Sequence, residues 1–157
     1  MKPLPRLEQF LTYRLHQVNK LSDKDSAAAY LEQCGLLLSE GRCLAAIGAF
    51  APLSVNALAQ RANLTKGQAS RSAQALVARG LVSKEASAAD GRGVVLSLTA
   101  QGKPLYRQAI AMIARRNEEI FGCLSEDEQA LLGSLLDRLV AHAGQQDAEA
   151  PDDDADA

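Results

Sequence analysis

Histidine and cysteine, the residues that most often build metal and redox centres, are scarce in this 157-residue chain. Its two histidines, His16 and His142, are too few for a histidine-based metal site. Its three cysteines, Cys34, Cys43 and Cys123, are odd in number, far apart and without a CxxC pair. That pattern is neither a zinc site nor a disulfide framework. No apolar run reaches the ~20 residues of a transmembrane helix. The start, MKPLPRLEQF, has charge but no apolar h-region, so it does not read as a secretory signal. No acid/base pair, nucleophile elbow, phosphate-cradling loop or metal set stands out. The expectation is a cytoplasmic non-enzyme with no catalytic residue, no cofactor, no metal and no membrane partner. What remains is a globular composition, 47% hydrophobic and 23% charged, with no tryptophan. Its length suits one domain, or one domain with a helical extension, and is enough for a core without metal or disulfide support.

The formal net charge of −2 conceals an uneven distribution. Residues 147–157 (DAEAPDDDADA) hold six acids and no base, which leaves residues 1–146 with 17 basic against 13 acidic residues, a net of +4. Within 61–103, Arg61, Lys66, Arg71, Arg79, Lys84, Arg92 and Lys103 face only Glu85 and Asp90, a net of +5. A basic surface confined to one stretch of a mildly acidic chain points to a polyanion met at one place.

The stretch Thr65–Gly80 (TKGQASRSAQALVARG) lies inside that basic segment and has the marks of a helix. Thr65 is placed as N-cap, with Gln68 three residues on to complete a capping box. Gly80 is placed to end it in the left-handed C′ position. Helical spacing puts Ala69, Ala73, Leu76 and Val77 on one face. Gly67, Ser70, Arg71, Gln74 and Ala78 fall on or near the other, which carries no carboxylate. Arg, Gln and Ser are residue types that read base edges, while Gly and Ala permit close approach. Lys66 suits a phosphate or solvent.

Around this helix the chain reads as follows. Leu7, Leu11, Leu15 and Val18, broadened by Phe10 and Leu21, make residues 6–20 an amphipathic helix. Ser22-Asp23 marks a break or kink before a second helical stretch, about 25–34, that stops near Gly35. Leu38–Phe50 is the next helix, with Ser39 as a candidate N-cap and Pro52 beyond its end. Ser54 caps 55–62, with Leu53 and Leu58 spaced for a hydrophobic staple. Asn63-Leu64 turns directly into the helix at Thr65, which makes a helix-turn-helix. The period then changes to that of strands, 81–85 and 94–98, around a turn with Asp-Gly at its tip. A hairpin behind a helix-turn-helix is a wing. A long helix, 100–123, follows Thr99, with Pro104 about one turn in, where a kink is expected. Ser125–Glu128 is a second capping box, opening 126–143, whose leucine stripe is wide for a terminal element and calls for a second chain. Residues 144–157 are low-complexity and acidic, and disorder is expected there.

This order of parts resembles the MarR family of winged helix-turn-helix regulators. The resemblance rests on LAQRA (58–62), Ser70-Arg71, LVARGLV (76–82) and the wing DGRGVVLSLT (90–99), and spans roughly residues 7–142. It implies a mainly α fold with a small β-hairpin wing, an α+β winged helix-turn-helix on a helical dimerisation base. In those terms, residues 1–35 and 100–143 belong to the base, 36–99 form the DNA-binding domain and 144–157 the acidic tail. The implied function is a sequence-specific regulator of transcription, nucleoid-associated when bound. It would be a homodimeric repressor on a pseudo-palindromic double-stranded DNA operator, released by a small-molecule effector. The expected DNA-binding residues are Thr65, Lys66, Gln68, Ser70, Arg71 and Gln74, with Asp90 and Arg92 of the wing. The family resemblance places Arg92 in a minor groove with Asp90 holding its guanidinium.

Where the family often carries Trp-Arg ahead of the winged module, this chain has Gly41-Arg42. Gly41 would leave room beneath the base. Tyr13, Arg14, His16 and Arg42 are the candidate ligand-binding residues, since aromatic and cationic groups suit a phenolic or carboxylated effector. The alternatives are packing and surface roles for these side chains, a redox-responsive regulator using Cys34, Cys43 or Cys123, or a transcriptional activator. Buried structural cysteine is the default reading of all three thiols.

Overall fold

The computed structural model describes residues 3–87 and 93–149, the side chains of the last four excepted. The wing tip, and with it Asp90 and Arg92, lies outside the described residues. Six helices and one hairpin follow a 3₁₀ turn at Leu7–Gln9: α1 (Leu11–Cys34), α2 (Leu38–Phe50), α3 (Val55–Ala62), α4 (Lys66–Ala78), β1 (Val82–Ala86), β2 (Val94–Leu98), α5 (Gly102–Phe121) and α6 (Glu126–Glu149). The mainly α fold with a small two-stranded wing is as expected. The chain divides into two compact units, the first running to Arg116 and the second from Asn117.

The core of the first unit is aliphatic. Leu36, Leu44, Ile47, Leu58, Leu76, Leu96 and Met112 are essentially removed from water, together with Cys43. α2 lies at its centre, packed by α1, α3, α4 and β2. Two α2 glycines make this possible. A Cβ on Gly41 would overlap the Tyr30 ring of α1, and one on Gly48 would overlap the Tyr106 ring of α5. The gap expected at Gly41 is therefore filled: a tyrosine ring from another helix occupies it.

The hairpin pairs Val82 with Leu98 through Ala86 with Val94, antiparallel. Leu53 adds a bridge on the other side of β2, exchanging two backbone hydrogen bonds with Leu96 (3.1 and 2.8 Å). That bridge anchors the wing two residues ahead of α3, and periodicity over one residue carries no sign of it.

Four local expectations are corrected. α1 runs unbroken through Ser22-Asp23, because the Asp23 carboxylate accepts from Arg42 instead of competing for its own backbone. α2 starts one residue before Ser39: Leu37 is its N-cap residue, and the Glu40 carboxylate takes the Leu37 N–H at 3.2 Å. Pro104 is the third residue of α5, inside the first turn, where helix N–H groups have no intrahelical acceptor, so it costs no ladder bond. α6 continues as helix to Glu149, past the expected end at 143, through residues such as Ala, Gln and Glu that favour helix.

In the second unit, Ser125 and Glu128 form the capping box, Ser125 N–H to Glu128 Oε2 at 2.8 Å and Glu128 N–H to Ser125 Oγ at 3.2 Å. Gln129 donates to the carbonyls of Phe121 and Leu124, closing the turn between α5 and α6. No helix among the described residues is long and apolar enough to cross a membrane.

Candidate nucleic-acid interface

α3 and α4 form the helix-turn-helix. Ser54 Oγ accepts from Ala57 N–H at 3.1 Å, capping α3. Asn63 ends it in the left-handed conformation (φ 54°), one of the few non-glycine types that tolerate it. α4 opens on a closed capping box. Gln68 N–H donates to Thr65 Oγ1 at 3.2 Å, and Thr65 N–H donates to Gln68 Oε1 at 3.0 Å. It closes on a Schellman turn, with Gly80 N–H to Val77 O at 2.9 Å and Leu81 N–H to Leu76 O at 3.0 Å. Gly80 takes φ +72°, which an L side chain rarely adopts. Thr99 Oγ1 then donates to Gly80 O at 2.6 Å and accepts from Gly102 N–H at 3.0 Å, locking the end of α4 to the start of α5.

Between these caps the two faces separate. Ala69, Ser72, Ala73 and Leu76 are buried, while Thr65, Lys66, Gln68, Arg71 and Gln74 are exposed and Ser70 is half-buried. The structure thus brings all six α4 candidates onto one accessible side. The Arg71 guanidinium lies back along the helix over Gly67, 3.4 Å from where a Cβ there would sit. Ser72 is a core residue although it is polar. Its position three after Ala69 and four before Leu76 is the available signal, and its hydroxyl acts on the buried Cys43 thiol, lowering its pKa against the effect of burial.

Two hollows flank this face. One, of about 210 Å³, lies between α4 and the hairpin, with Ser70, Gln74, Val77 and Lys84 among its walls. The other, of about 370 Å³, is bordered by Ser39, Glu40, Gln68 and Arg71.

The four ligand candidates do not converge within the chain. Arg14 donates to Glu8 O at 3.0 Å, His16 is exposed and Tyr13 is half-buried. Arg42 instead pairs with Asp23, ten residues beyond Tyr13 on α1 and so ~15 Å further along it. A charged cluster that the sequence did not single out lies there: Arg116 of α5 approaches Asp25 at 3.8 Å, next in line to the Arg42–Asp23 pair. The thiols of Cys34 and Cys43 are buried, as expected, and burial pushes both up, Cys43 to about 11. Little thiolate, the nucleophilic form, is therefore present at either near neutral pH. Cys123 corrects the expectation of burial: it lies in the turn after α5 and is exposed.

Comparison with known proteins agrees with this architecture. Residues 27–93 match the model of the MarR family. The chain is 30% identical over 125 residues to the transcriptional regulator HosA of Escherichia coli O157:H7, covering 80% of this chain and 93% of that protein. It is 29% identical over 129 residues to the HTH-type transcriptional repressor Rv2887 of Mycobacterium tuberculosis, covering 82% and 92%. The crystal structure of Rv2887 with p-aminosalicylic acid superposes with a TM-score of 0.67 at 28% identity, covering 83% of this chain and 98% of that one. A probable transcriptional regulator from Pseudomonas aeruginosa superposes with a TM-score of 0.70 at 26% identity, covering 85% and 99%.

Proposed function

The chain belongs to the MarR family of transcriptional regulators, and from that premise we propose that it is a homodimeric repressor which reads a pseudo-palindromic operator with α4 and releases it on binding a small aromatic carboxylate. The observation that carries the DNA reading is the exposed side of α4. Lys66, Gln68, Ser70, Arg71 and Gln74 lie there with no acid among them, on a helix pinned at both ends. Arg71 and Gln74 are the base readers, bidentate to guanine and adenine respectively. Thr65 and Lys66, at the α4 N-terminus, hold phosphate. Arg92, with Asp90 as its support, enters the adjacent minor groove, where negative potential is concentrated.

Residues 36–99 form the reading lobe, and residues 1–35 and 100–143 the base that pairs two lobes. Half-sites then lie about one helical turn apart, ~34–36 Å. The relative Rv2887, whose structure holds p-aminosalicylic acid, supports this effector class. An aromatic carboxylate would compete with Asp23 for Arg42, whereas Tyr13, Arg14 and His16 do not converge on that arginine within one chain. Binding only the conformer whose lobes are misplaced for the groove shifts population away from the DNA-competent state.

The test begins with selection from a random duplex library by the wild-type chain. On the selected duplex, Arg71→Ala costs ~1–3 kcal/mol and relaxes preference at one base position per half-site. Lys66→Ala weakens all sequences alike and flattens the salt dependence. Undiminished binding by Arg71→Ala would show that α4 is not the reading element. Titration with p-aminosalicylate tests the effector class: release of the selected duplex is expected, and the Arg42→Ala variant should lose that response while keeping DNA binding.

A further inference from the structure

Arg79 belongs to the basic segment 61–103, yet its side chain is engaged within the fold. Its Nη1 donates to Gly35 O at 2.9 Å, across 44 residues of sequence. The same nitrogen lies 4.0 Å from Glu40 Oε2. Gly35 is the C-cap of α1, left-handed at φ +63°, and its own N–H is spent on Leu31 O at 3.1 Å. Glu40 is at the first turn of α2, where its carboxylate also takes the Leu37 N–H. One guanidinium therefore touches the last turn of α1 and the first turn of α2. A planar fork with five donors suits two acceptors from two elements, and a cation is favoured at the carbonyl end of a helix.

The backbone of Arg79 is also the C-cap of α4, inside the Schellman turn and one residue before the Gly80 carbonyl held by Thr99. The fork thus grips α4 at its C-terminal end, which the Schellman turn and Thr99 also fix. α4 has 13 residues, so it is ~20 Å long and a rotation of ~5° about that end displaces its first turn by ~2 Å. Hydrogen bonds to base edges act over a span of only ~0.5 Å, so such a swing loses them.

We infer that Arg79 is a positioning residue for DNA reading. By bonding Gly35 at the α1–α2 junction it sets the angle at which α4 presents Arg71 and Gln74, and it makes no phosphate contact. A phosphate in reach of Nη1 would also meet the Glu40 carboxylate, which opposes it. The inference rests on the proposed reading of DNA by α4, so Arg71→Ala is run beside it.

The experiment uses the full chain and the duplex that wild type selects from a random library. Two quantities are read: the slope of log affinity against log salt, and discrimination against single-base changes across the half-site. For Arg79→Ala the slope is expected to stay at the wild-type value, while discrimination falls at least threefold at several base positions together. Each lost phosphate contact flattens the slope by ~0.9, hence by ~2 in a symmetric dimer. A flattened slope with discrimination intact would make Arg79 a phosphate contact and overturn the inference, as would no change in either reading. If Arg79→Ala fails to fold by circular dichroism, Arg79→Lys decides on the same two readings. Lysine keeps the charge but not the fork, so loss of discrimination at unchanged slope is again expected. A silent Arg71→Ala would instead mark the failure of the DNA-reading assignment, whatever Arg79 does.

Discussion

The missing methyl of Gly41 and the ring of Tyr30 are two halves of one contact, since a Cβ at 41 would overlap that ring. Alanine is the better helix former, by ~1 kcal/mol. Gly41→Ala should nevertheless lower stability by roughly 1–3 kcal/mol through overpacking, measured by urea denaturation. A gain in stability would mean that the ring moves aside freely. Tyr30 and Cys43 also make a prediction about pH. Burial raises the Tyr30 hydroxyl from 10.0 to about 12, helped by Cys34 and opposed by Arg42, and raises Cys43 from 9.0 to about 11. Both groups are neutral when protonated, so the folded chain keeps protons that the unfolded chain has already lost. Their contribution is complete below about pH 9 and disappears as pH rises towards 11–12. Alkaline titration should show Tyr30 ionising together with the loss of helical circular dichroism, and Cys43 resisting thiol reagents at pH 8 until the chain is unfolded. Early, independent titration of Tyr30 would contradict the packing described.

At the scale of elements, α4 owes its definition to its two ends. The capping box at Thr65 and Gln68 and the Schellman turn at Gly80 were both legible, because they depend on residue types at fixed short offsets. Thr65→Ala should cost about 0.5–2 kcal/mol, and, in the proposed reading of the operator, should weaken DNA binding beyond what that loss of stability accounts for. Equal DNA affinity for folded Thr65→Ala and wild type would remove Thr65 from the interface and leave it as a cap alone. Elements whose ends depend on distant partners were less legible. α1 passes through Ser22-Asp23 because Arg42 occupies the Asp23 carboxylate. The wing gains the Leu53–Leu96 bridge, which joins residues 43 positions apart. Neither partner can be inferred from periodicity.

On the scale of the whole molecule, each of the two compact units carries an exposed apolar stripe. Leu11, Leu15, Val18 and Leu21 of α1 are exposed, and so are Leu131, Leu135, Leu136, Leu139 and Val140 of α6. Burial of a leucine side chain is worth about 1.5–3 kcal/mol, so stripes of this size are strong drivers of association. In the proposed homodimer, the double variant Leu135→Asp/Leu139→Asp should be monomeric by light scattering and should bind a two-half-site duplex no better than a single half-site. A variant that remains dimeric would exclude α6 from the base.

Composition and short-range pattern were enough to establish the class of this protein. Scarce His and Cys, the local excess of positive charge around α4, capping residues at three-residue offsets and the switch from helical to strand periodicity at Gly80 are all properties of neighbouring residues, and neighbours in sequence remain neighbours in any fold. Which polar groups are available for function is a different matter. Arg71 stays open on the surface while Arg79, at the end of the same helix, is drawn to Gly35 and Glu40. Arg42 is taken by Asp23, Ser72 is turned inward to Cys43, and Gly41 is filled by Tyr30. Each of these outcomes depends on a partner brought close by the packing of α1, α2 and α4, and a charge or a gap in the sequence has no marker for the group that will meet it in space.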